Sequence, residues 1–172
     1  TSMGLTPSGA LIMGTRSGDN YPGVLMHLLR QARGDPNRLE HLLDRQSGLL
    51  GISGLSSDMR RRHAAEASDA DARLAVRMFC AAVAKQLAGM ATVLGGVDLI
   101  VFSGGIGEND ARARAAICDA LGWIGVALDE GANQRGQGAI SAATSRCAVR
   151  VVASREDAQI ACHTARLLPG VP

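Results

Sequence analysis

Apolar residues recur at helical spacing in the first third of the chain. Residues 22–33 carry an apolar stripe, and Pro22 stands where a helix favours its first residue. Asp35-Pro36 is a second pair of an N-cap and a first-turn proline, and it predicts a helix that ends near Arg45. A third helix is predicted to begin near Met59. Residues 46–54 are rich in glycine and predict a turn or a short strand.

The longest apolar stripe predicts an amphipathic helix over residues 70–94. Its spacing of three and four residues places ten side chains on one face. They are Leu74, Ala75, Met78, Phe79, Ala82, Val83, Leu87, Met90, Ala91 and Leu94. Gly95-Gly96 follows as a C-cap. We expect this face to be buried.

The second half of the chain alternates predicted strands with predicted helices. Residues 97–103 and 147–153 are short runs rich in Val and Ile, typical of buried strands. The other predicted elements of this half are a helix at 110–121, a short strand at 125–128, a loop at 131–145 and a helix at 155–168. This order predicts an α/β fold with a parallel sheet. At the other end of the chain, residues 1–20 are predicted to be irregular.

Composition bounds the class of protein. The chain has 172 residues, 47 % of them hydrophobic, and a net charge of +2, which suits one soluble domain. Four aromatic residues and near-neutral charge argue against nucleic-acid binding. No run approaches ~20 apolar residues, so no membrane span is expected. The start lacks Met and a signal-peptide pattern, and we expect a fragment of a longer chain.

Cysteine and histidine spacing indicates no metal centre. The cysteines are Cys80, Cys118, Cys147 and Cys162. They contain no C-x-x-C pair, and we expect reduced, mostly buried thiols in a cytoplasmic protein. The histidines are His27, His41, His63 and His163. They do not cluster along the chain, and none is assigned a role as a ligand or base.

The strongest local signal follows the first predicted strand. Residues 104–107 are Gly-Gly-Ile-Gly, and Glu108-Asn109 follow them. Glycines at the carboxyl end of a parallel strand leave bare backbone where open α/β sheets bind ligands. The stretch lacks the Lys and Ser/Thr of a phosphate-binding P-loop, and Asp110 replaces the third glycine of G-x-G-x-x-G. A nucleotide site and a tight strand-to-helix turn are equally compatible with it.

Three other segments carry charged groups among small residues. Arg16 lies in GTRSGD, where it would clamp a phosphate or carboxylate, or else stand in solvent while Asp19 caps the next helix. Ser57-Asp58 predicts a helix cap, and Arg61-Arg62 then predict a solvated basic face. Glu156, after the second strand, fits either a helix first turn or a Mg²⁺ ligand.

The segments become specific when they are taken together and in order. TSMGLTP, MGTRSGD, GLLGISGLSSDMR, LGGVDLIVFSGGIGEN and a strand ending in SRED occur in that sequence between Thr1 and about Arg166. This ordered set resembles the acetate/propionate/butyrate kinase family. The resemblance implies an incomplete half of the ribonuclease H-like fold of actin, Hsp70 and sugar kinases. It also implies Mg²⁺-dependent phosphoryl transfer between ATP and acetate, giving ADP and acetyl phosphate.

The resemblance also implies roles for particular residues. Arg16 corresponds to a catalytic arginine that contacts the transferred phosphoryl group, and Glu156 to a Mg²⁺ ligand. The positions that correspond to nucleotide contacts are Asp58, Met59, Arg60, Gly104, Gly105, Ile106, Gly107 and Asn109. Arg155 and Arg61 depart from the family pattern by adding positive charge beside these positions. Family members are cytoplasmic homodimers, which implies the same here.

The family's pattern extends beyond this chain. Residues 1–172 match the C-terminal nucleotide-binding domain, without its opening strands and without the first domain that holds the acyl pocket. We therefore expect the chain alone to be inactive, because groups from both sides of the cleft stabilise the transition state. Propionate or butyrate kinase remains an alternative, as does a non-catalytic fragment that binds nucleotide or dimerises. The unpaired strand at 97–103 is also expected to present an apolar edge.

Overall fold

The computed structural model describes residue 9 and residues 11–167, and the TSMGLTP stretch lies outside them. Residues 11–20 are irregular, as predicted. The helices are α1 (Pro22–Gln31), α2 (Pro36–Arg45), α3 (Gly48–Ser53), α4 (Met59–Ala65), α5 (Ala70–Leu94), α6 (Gly104–Asn109), α7 (Ala111–Asp119), α8 (Glu130–Arg135) and α9 (Glu156–Leu167), with a 3₁₀ turn at Gly122–Ile124. The strands are β1 (Leu99–Phe102), β2 (Gly138–Ala139) and β3 (Ala148–Val151).

The sheet confirms the predicted parallel pair. β1 pairs with β3 in parallel, with Ile100 opposite Val149. β2 adds to the other edge of β3 in the antiparallel direction, which gives the order β1-β3-β2. Within residues 11–167 no strand pairs with the free edge of β1. The described part of the chain is therefore α/β, and it leaves the expected apolar edge open.

One face of the sheet is covered and the other is open. Ile100 and Phe102 of β1 are buried, and they share one apolar core with residues of α5 and α7. On the opposite face Leu99 and Val101 are 50 % and 48 % exposed. α9 buries no residue in the described structure. The alternation of strand side chains thus places half of them in the core.

The helix α5 has the predicted bounds, but its buried face is narrower and lies partly elsewhere. The buried residues are Ala72, Ala75, Val76, Cys80, Ala84 and Ala91. Leu74, Met78, Met90 and Leu94, which the stripe assigned to the core, are exposed. The helices α3, α4 and α7 pack against α5, and small side chains allow helices to approach closely.

α5 is also the one described helix that is long and apolar enough to cross a membrane by length and composition. This criterion is weak evidence, because the core helix of a soluble protein meets it as well. Here α5 contributes buried residues to the main core.

The glycine-rich residues 46–54 form a helix, so the prediction of a turn or strand is wrong. The first amides of α3 find distant acceptors, since Leu49 N donates to Met13 O at 2.9 Å and Leu50 N to Gly14 O at 2.9 Å. Gly48 adopts φ +64°, and an added Cβ would lie 2.3 Å from Met13 O. Contacts with the residue 11–20 loop therefore override the weak helix propensity of glycine.

Two further predictions between the strands are wrong. Residues 131–145 are not a continuous loop, because Asp129 caps α8 through Ala132 N at 2.6 Å and Gly136 ends it in the left-handed conformation. Residues 125–128 form no strand, and only Leu128 makes a bridge, to Ser141. α1 also differs in its cap, since Tyr21 rather than Asp19 occupies the N-cap position.

Candidate functional site

A cleft of about 800 Å³ lies between α4 on one side and α6 with the start of α7 on the other. Its lining includes six of the residues that the family pattern assigns to nucleotide binding. They are Asp58, Met59, Arg60, Gly105, Ile106 and Asn109. The fold therefore brings the SSDMR and GGIGEN segments together, although more than 40 residues separate them in sequence.

The wall formed by α4 begins with a capped helix end. Asp58 accepts a hydrogen bond from Arg60 N at 2.9 Å, and Asp58 Oδ2 pairs with Arg60 Nη2 at 3.0 Å. The side-chain hydrogen bond from Arg60 is the main cause that lowers the pKa of Asp58. Met59 is buried and anchors this wall in the core, while the Arg60 side chain is 90 % exposed. A ligand in the cleft would thus meet an exposed cation that is paired with a carboxylate.

The wall formed by α6 is a short helix made of the glycine segment, and it follows β1 after a tight strand-to-helix turn at Ser103 and Gly104. Glu108 Oε1 accepts from Gly104 N at 2.7 Å and from Ser154 N at 2.8 Å. Asn109 Nδ2 donates to Gly105 O at 2.9 Å. These side-chain bonds stabilise a helix that glycine propensity alone disfavours.

The four residues of the Gly-Gly-Ile-Gly run have different structural roles. Gly104 has φ +75°, a conformation that favours glycine, and it links β1 to α6. Gly105 faces the cleft and would have open space around a Cβ. A Cβ on Gly107 would lie 3.3 Å from the carbonyl carbon of Phe102, so this glycine allows α6 to pack on the end of β1. Neither Gly104 nor Gly107 is among the cleft-lining residues.

His63 joins the two walls of the cleft. Its Nε2 lies 2.8 Å from Asp110 Oδ2, and its Nδ1 lies 3.0 Å from Glu66 Oε2. Glu66 also pairs with Arg112. Asp110 caps α7 by accepting from Ala113 N at 2.9 Å. One imidazole thus connects α4 to the first turn of α7.

The sequence prediction gave His63 no role, although a signal was present. Met59, Arg62, His63 and Glu66 follow one another at the spacing of a single helical face. The same spacing would have predicted that Arg62 and His63 face inward.

Arg62 overturns the prediction of a solvated basic face. It is fully buried, and its Nη2 donates to Ser56 O. Its Nε and Nη1 are buried without a hydrogen-bond partner in the described part of the chain. Burial lowers the pKa of this guanidinium. Arg61, in contrast, is exposed.

Arg16 lies beside the cleft and not in its lining. Its carbonyl accepts from Met13 N at 3.1 Å, and its Nη1 lies 3.9 Å from Met13 Sδ. The same loop approaches α4, because a Cβ on Gly14 would lie 3.2 Å from Ser57 Cβ. Ser57 itself lines the cleft. The GTRSGD segment is therefore adjacent to the SSDMR segment.

Glu156 begins α9 at the same sheet edge as the glycine segment. β1 and β3 are parallel, so the residues after both strands lie at one edge, and Glu108 connects them through Gly104 N and Ser154 N. Glu156 is exposed and does not line the cleft. Residues 11–167 contain no group of three acidic, histidine or cysteine side chains that would hold a metal alone. A single exposed carboxylate fits Mg²⁺, which takes its other ligands from phosphates and water.

The thiols match the prediction of free cysteines. Cys80, Cys118 and Cys147 are buried and Cys162 is exposed, all without disulfides. Burial raises the pKa of Cys80 to about 11 and that of Cys118 to about 12. These two groups are structural thiols rather than nucleophiles.

The architecture first defines a class: an α/β unit with glycines at the carboxyl edge of a parallel strand pair, where such folds bind ligands. The family model described as the Acetokinase family matches residues 1–162. The chain therefore belongs to the acetokinase family, which confirms the predicted resemblance.

Curated relatives and solved structures agree with this assignment. The chain is 42 % identical to an acetate kinase of Rhodopseudomonas palustris (strain TIE-1) over 99 % of its length, which is 43 % of that relative. It is also 42 % identical to a propionate kinase of Citrobacter freundii, covering 97 % of the chain and 42 % of the relative. The crystal structure of Porphyromonas gingivalis acetate kinase matches with TM-score 0.88 and 36 % identity, over 96 % of this chain and 43 % of that one. The chain thus spans less than half of the relatives it matches, and its fold is a partial fold of the actin and sugar kinase type.

Proposed function

We propose that the chain is the C-terminal nucleotide-binding part of an acetate kinase and takes up ATP in the cleft between α4 and α6. The observation that supports this most is the meeting of Asp58–Arg60 with Gly105, Ile106 and Asn109 in one cavity. Gly105 leaves backbone accessible to a nucleotide, and Arg60 offers an exposed cation to its phosphates. Residues 1–172 are proposed to correspond to this domain, and they cover 43 % of the length of the acetate kinase they match.

The proposed reaction is direct phosphoryl transfer. An acetate oxygen forms a bond to the γ-phosphorus of ATP as the bond from that phosphorus to the β-γ bridging oxygen breaks, and the electron pair leaves with ADP. Catalysis of such a transfer consists mainly of positioning and charge stabilisation. In this chain Arg16 would contact the transferred group with its planar guanidinium, and Asn109 and Ile106 would hold the nucleoside part.

Glu156 is the residue proposed to hold Mg²⁺. The bound ion would neutralise charge on the phosphate oxygens, which is what such an ion supplies to phosphoryl transfer. The side chain is exposed at the sheet edge and free to meet a nucleotide from solvent. Arg155, next to it, would compete for the same phosphates and weaken the carboxylate's hold on the ion.

Propionate or butyrate kinase is the second candidate. The equal identity of 42 % to an acetate kinase and to a propionate kinase supports keeping both. The acyl pocket is proposed to lie in the part of these relatives that residues 1–172 do not cover. The longest open reading frame containing the chain should be expressed and its kcat/KM compared for acetate, propionate and butyrate; the largest value identifies the acyl substrate.

Nucleotide binding tests the core of the proposal. Calorimetry with ADP should detect binding to the 172-residue chain, and both Arg60→Ala and Asn109→Ala should weaken it about tenfold, the effect of losing one charge-assisted or well-placed hydrogen bond. Arg73→Ala, at an exposed position of α5 away from the cleft, is the matched control and should leave the affinity unchanged. Absence of binding at millimolar ADP would contradict the proposal.

A coupled assay of ADP release separates the enzyme from a non-catalytic module. We expect no turnover from ATP and acetate by the chain alone, because the first domain is proposed to supply part of the catalytic groups. Turnover at the rate of complete family members would contradict this expectation.

The exposed side chains of α5, including Met78 and Met90, are proposed to pair two copies in the cytoplasm, and sedimentation would measure that association.

A further inference from the structure

Arg114 of α7 is buried behind the α6 wall of the cleft. Only 1 % of the residue is exposed. Its Nη1 donates to Gly107 O at 2.9 Å and to Glu108 O at 2.8 Å. These carbonyls lie at the C-terminal end of α6, where the last backbone C=O groups have no N–H partner within the helix. The guanidinium therefore satisfies the end of the helix that carries the glycine segment.

The same guanidinium also binds α8. Arg114 Nε donates to Asn133 Oδ1 at 2.8 Å, and its Nη2 donates to Asn133 O at 2.6 Å. Asn133 in turn donates from Nδ2 to Ala111 O at 2.8 Å, at the first residue of α7. Gly136 completes the enclosure, since a Cβ there would lie 3.3 Å from Arg114 Nη2. Five hydrogen bonds thus connect α6, α7 and α8 through two buried side chains.

A side chain that only connected the helices α6, α7 and α8 would not need to carry a charge. None of the ion pairs formed within residues 11–167 includes Arg114. A buried charge without a counter-charge is costly, and only its hydrogen bonds offset that cost. The planar fork of arginine is the one side chain that reaches four acceptors in fixed directions at once. The residue is therefore matched to the direction of the α6 carbonyls and not simply to filling space.

We propose that Arg114 is a positioning residue that holds α6 in place for nucleotide binding, with Asn133 fixing the orientation of its guanidinium. The proposal rests on the proposed nucleotide site. Arg114 is not among the residues that line the cleft; its guanidinium acts through the backbone of α6, on which Gly105, Ile106 and Asn109 face the cleft. A glycine-rich helix loses more conformational entropy on ordering than other helices do. Because Arg114 already holds α6 in place, ligand binding no longer has to include the entropic cost of ordering that helix.

Hydrogen exchange of the α6 amides tests the clamp without any nucleotide. Arg114→Lys keeps the charge but loses the fork, so the ammonium cannot bind α6 and Asn133 together. We expect the Gly104–Asn109 amides to exchange about tenfold faster, as follows from the loss of one or two hydrogen bonds, while amides of β1 and β3 keep their relative protection. Val149→Ala, a fully buried core change on β3, is the control for general destabilisation and should not single out α6.

Binding of ADP to the same variants tests the positioning role. Arg114→Lys should weaken ADP binding about tenfold, and Val149→Ala should leave it within about twofold, since only the former loosens α6. Asn133→Ala removes one acceptor of the guanidinium and should have the same effects to a smaller degree. If Arg114→Lys does not fold, the ADP affinity of Asn133→Ala tests the positioning role in its place.

Two results would overturn the proposal. One is unchanged exchange of the α6 amides, or an increase shared equally with β1 and β3. The other is faster exchange of α6 with unaltered ADP affinity, which would leave Arg114 with a purely structural role. Failure of the unmodified chain to bind ADP refutes the nucleotide site instead and, with it, the positioning role, while the exchange measurement still decides whether the clamp exists.

Discussion

Arg114 and Arg62 are both fully buried, but their guanidinium groups differ in how many hydrogen bonds they make. The surroundings of each arginine are called a corner of the molecule, the Arg114 corner and the Arg62 corner. Arg114 has four hydrogen bonds to oxygen atoms of α6 and α8. Arg62 has one, to Ser56 O, and two buried nitrogens without partners within the described residues. Burial lowers the pKa of both side chains. The comparison shows that burial of a charge alone does not reveal whether it stabilises the fold; the number of satisfied donors does.

The largest effect is expected at Arg114. Arg114→Met should destabilise the chain by about 3–5 kcal/mol, because it leaves the carbonyls of Gly107 and Glu108 and the Asn133 side chain buried without donors. Urea denaturation followed by circular dichroism measures the free energy of unfolding. A loss below 1 kcal/mol would show that water replaces the guanidinium at this corner.

The next effect concerns His63, which connects α4, the helix of Arg62, to Asp110 at the start of α7, the helix of Arg114. His63→Ala should cost about 1–3 kcal/mol, since Glu66 and Asp110, both mostly buried, lose their contacts with the imidazole. Arg60→Ala is the control in the same cleft: its pair with Asp58 is at the surface and should contribute less than about 1 kcal/mol. Equal effects of the two substitutions in urea denaturation would contradict the tie between the walls.

A change of opposite sign is expected at Arg62. Arg62→Met should stabilise the chain by about 1–2 kcal/mol, because it removes a buried charge with two unsatisfied nitrogens and loses a single hydrogen bond. The melting temperature should rise where that of Arg114→Met falls. If Arg62→Met also destabilises, Arg62 has partners outside residues 11–167, and the two corners are alike after all.

The smallest perturbation uses the thiols as probes of the two corners. Cys118 lies on the face of α7 that carries Arg114, and Cys80 lies on α5 near Glu66 and Asp110. Raised pKa values keep both thiols protonated at pH 8, since each titrates only near 11 or 12 in the folded chain. Iodoacetamide at pH 8 should modify exposed Cys162 first, as mass spectrometry of peptides would show.

The same labelling distinguishes the corners. Arg114→Lys should speed modification of Cys118 more than that of Cys80, and His63→Ala should do the reverse. Uniform acceleration of both thiols would indicate that the chain opens as a whole rather than corner by corner.

Several elements could be predicted because their signals are local. Asp35-Pro36 and Asp58 mark helix starts that the structure retains, and the left-handed Gly95 ends α5 where predicted. The β1 and β3 strands follow from short runs of Val and Ile, and their parallel pairing follows from the helices between them. The family resemblance also located the two segments that line the cleft.

Other features depend on distant contacts. α3 forms because Met13 and Gly14 accept its first amides, and α6 forms because Glu108 caps it and Arg114 binds its last carbonyls. α8 is a different case, since its cap residues Asp129 and Gly136 are local signals of a helix start and a helix end in the sequence itself. Arg114 falls at helical spacing with Ile117, Cys118 and Leu121, a pattern that indicates burial but not a partner.

The sequence by itself determined the β1 and β3 strands, the bounds of α5, the starts of α2 and α4, the family and the segments that carry charged and glycine residues, because propensity, capping and periodicity act over a few residues. The tertiary structure alone decided which of those segments share a cleft, which face of α5 is buried, and which of two buried arginines is satisfied. The physical reason is that a hydrogen bond or an ion pair across 20 or 50 residues depends on where both partners are placed, and no local pattern contains that placement.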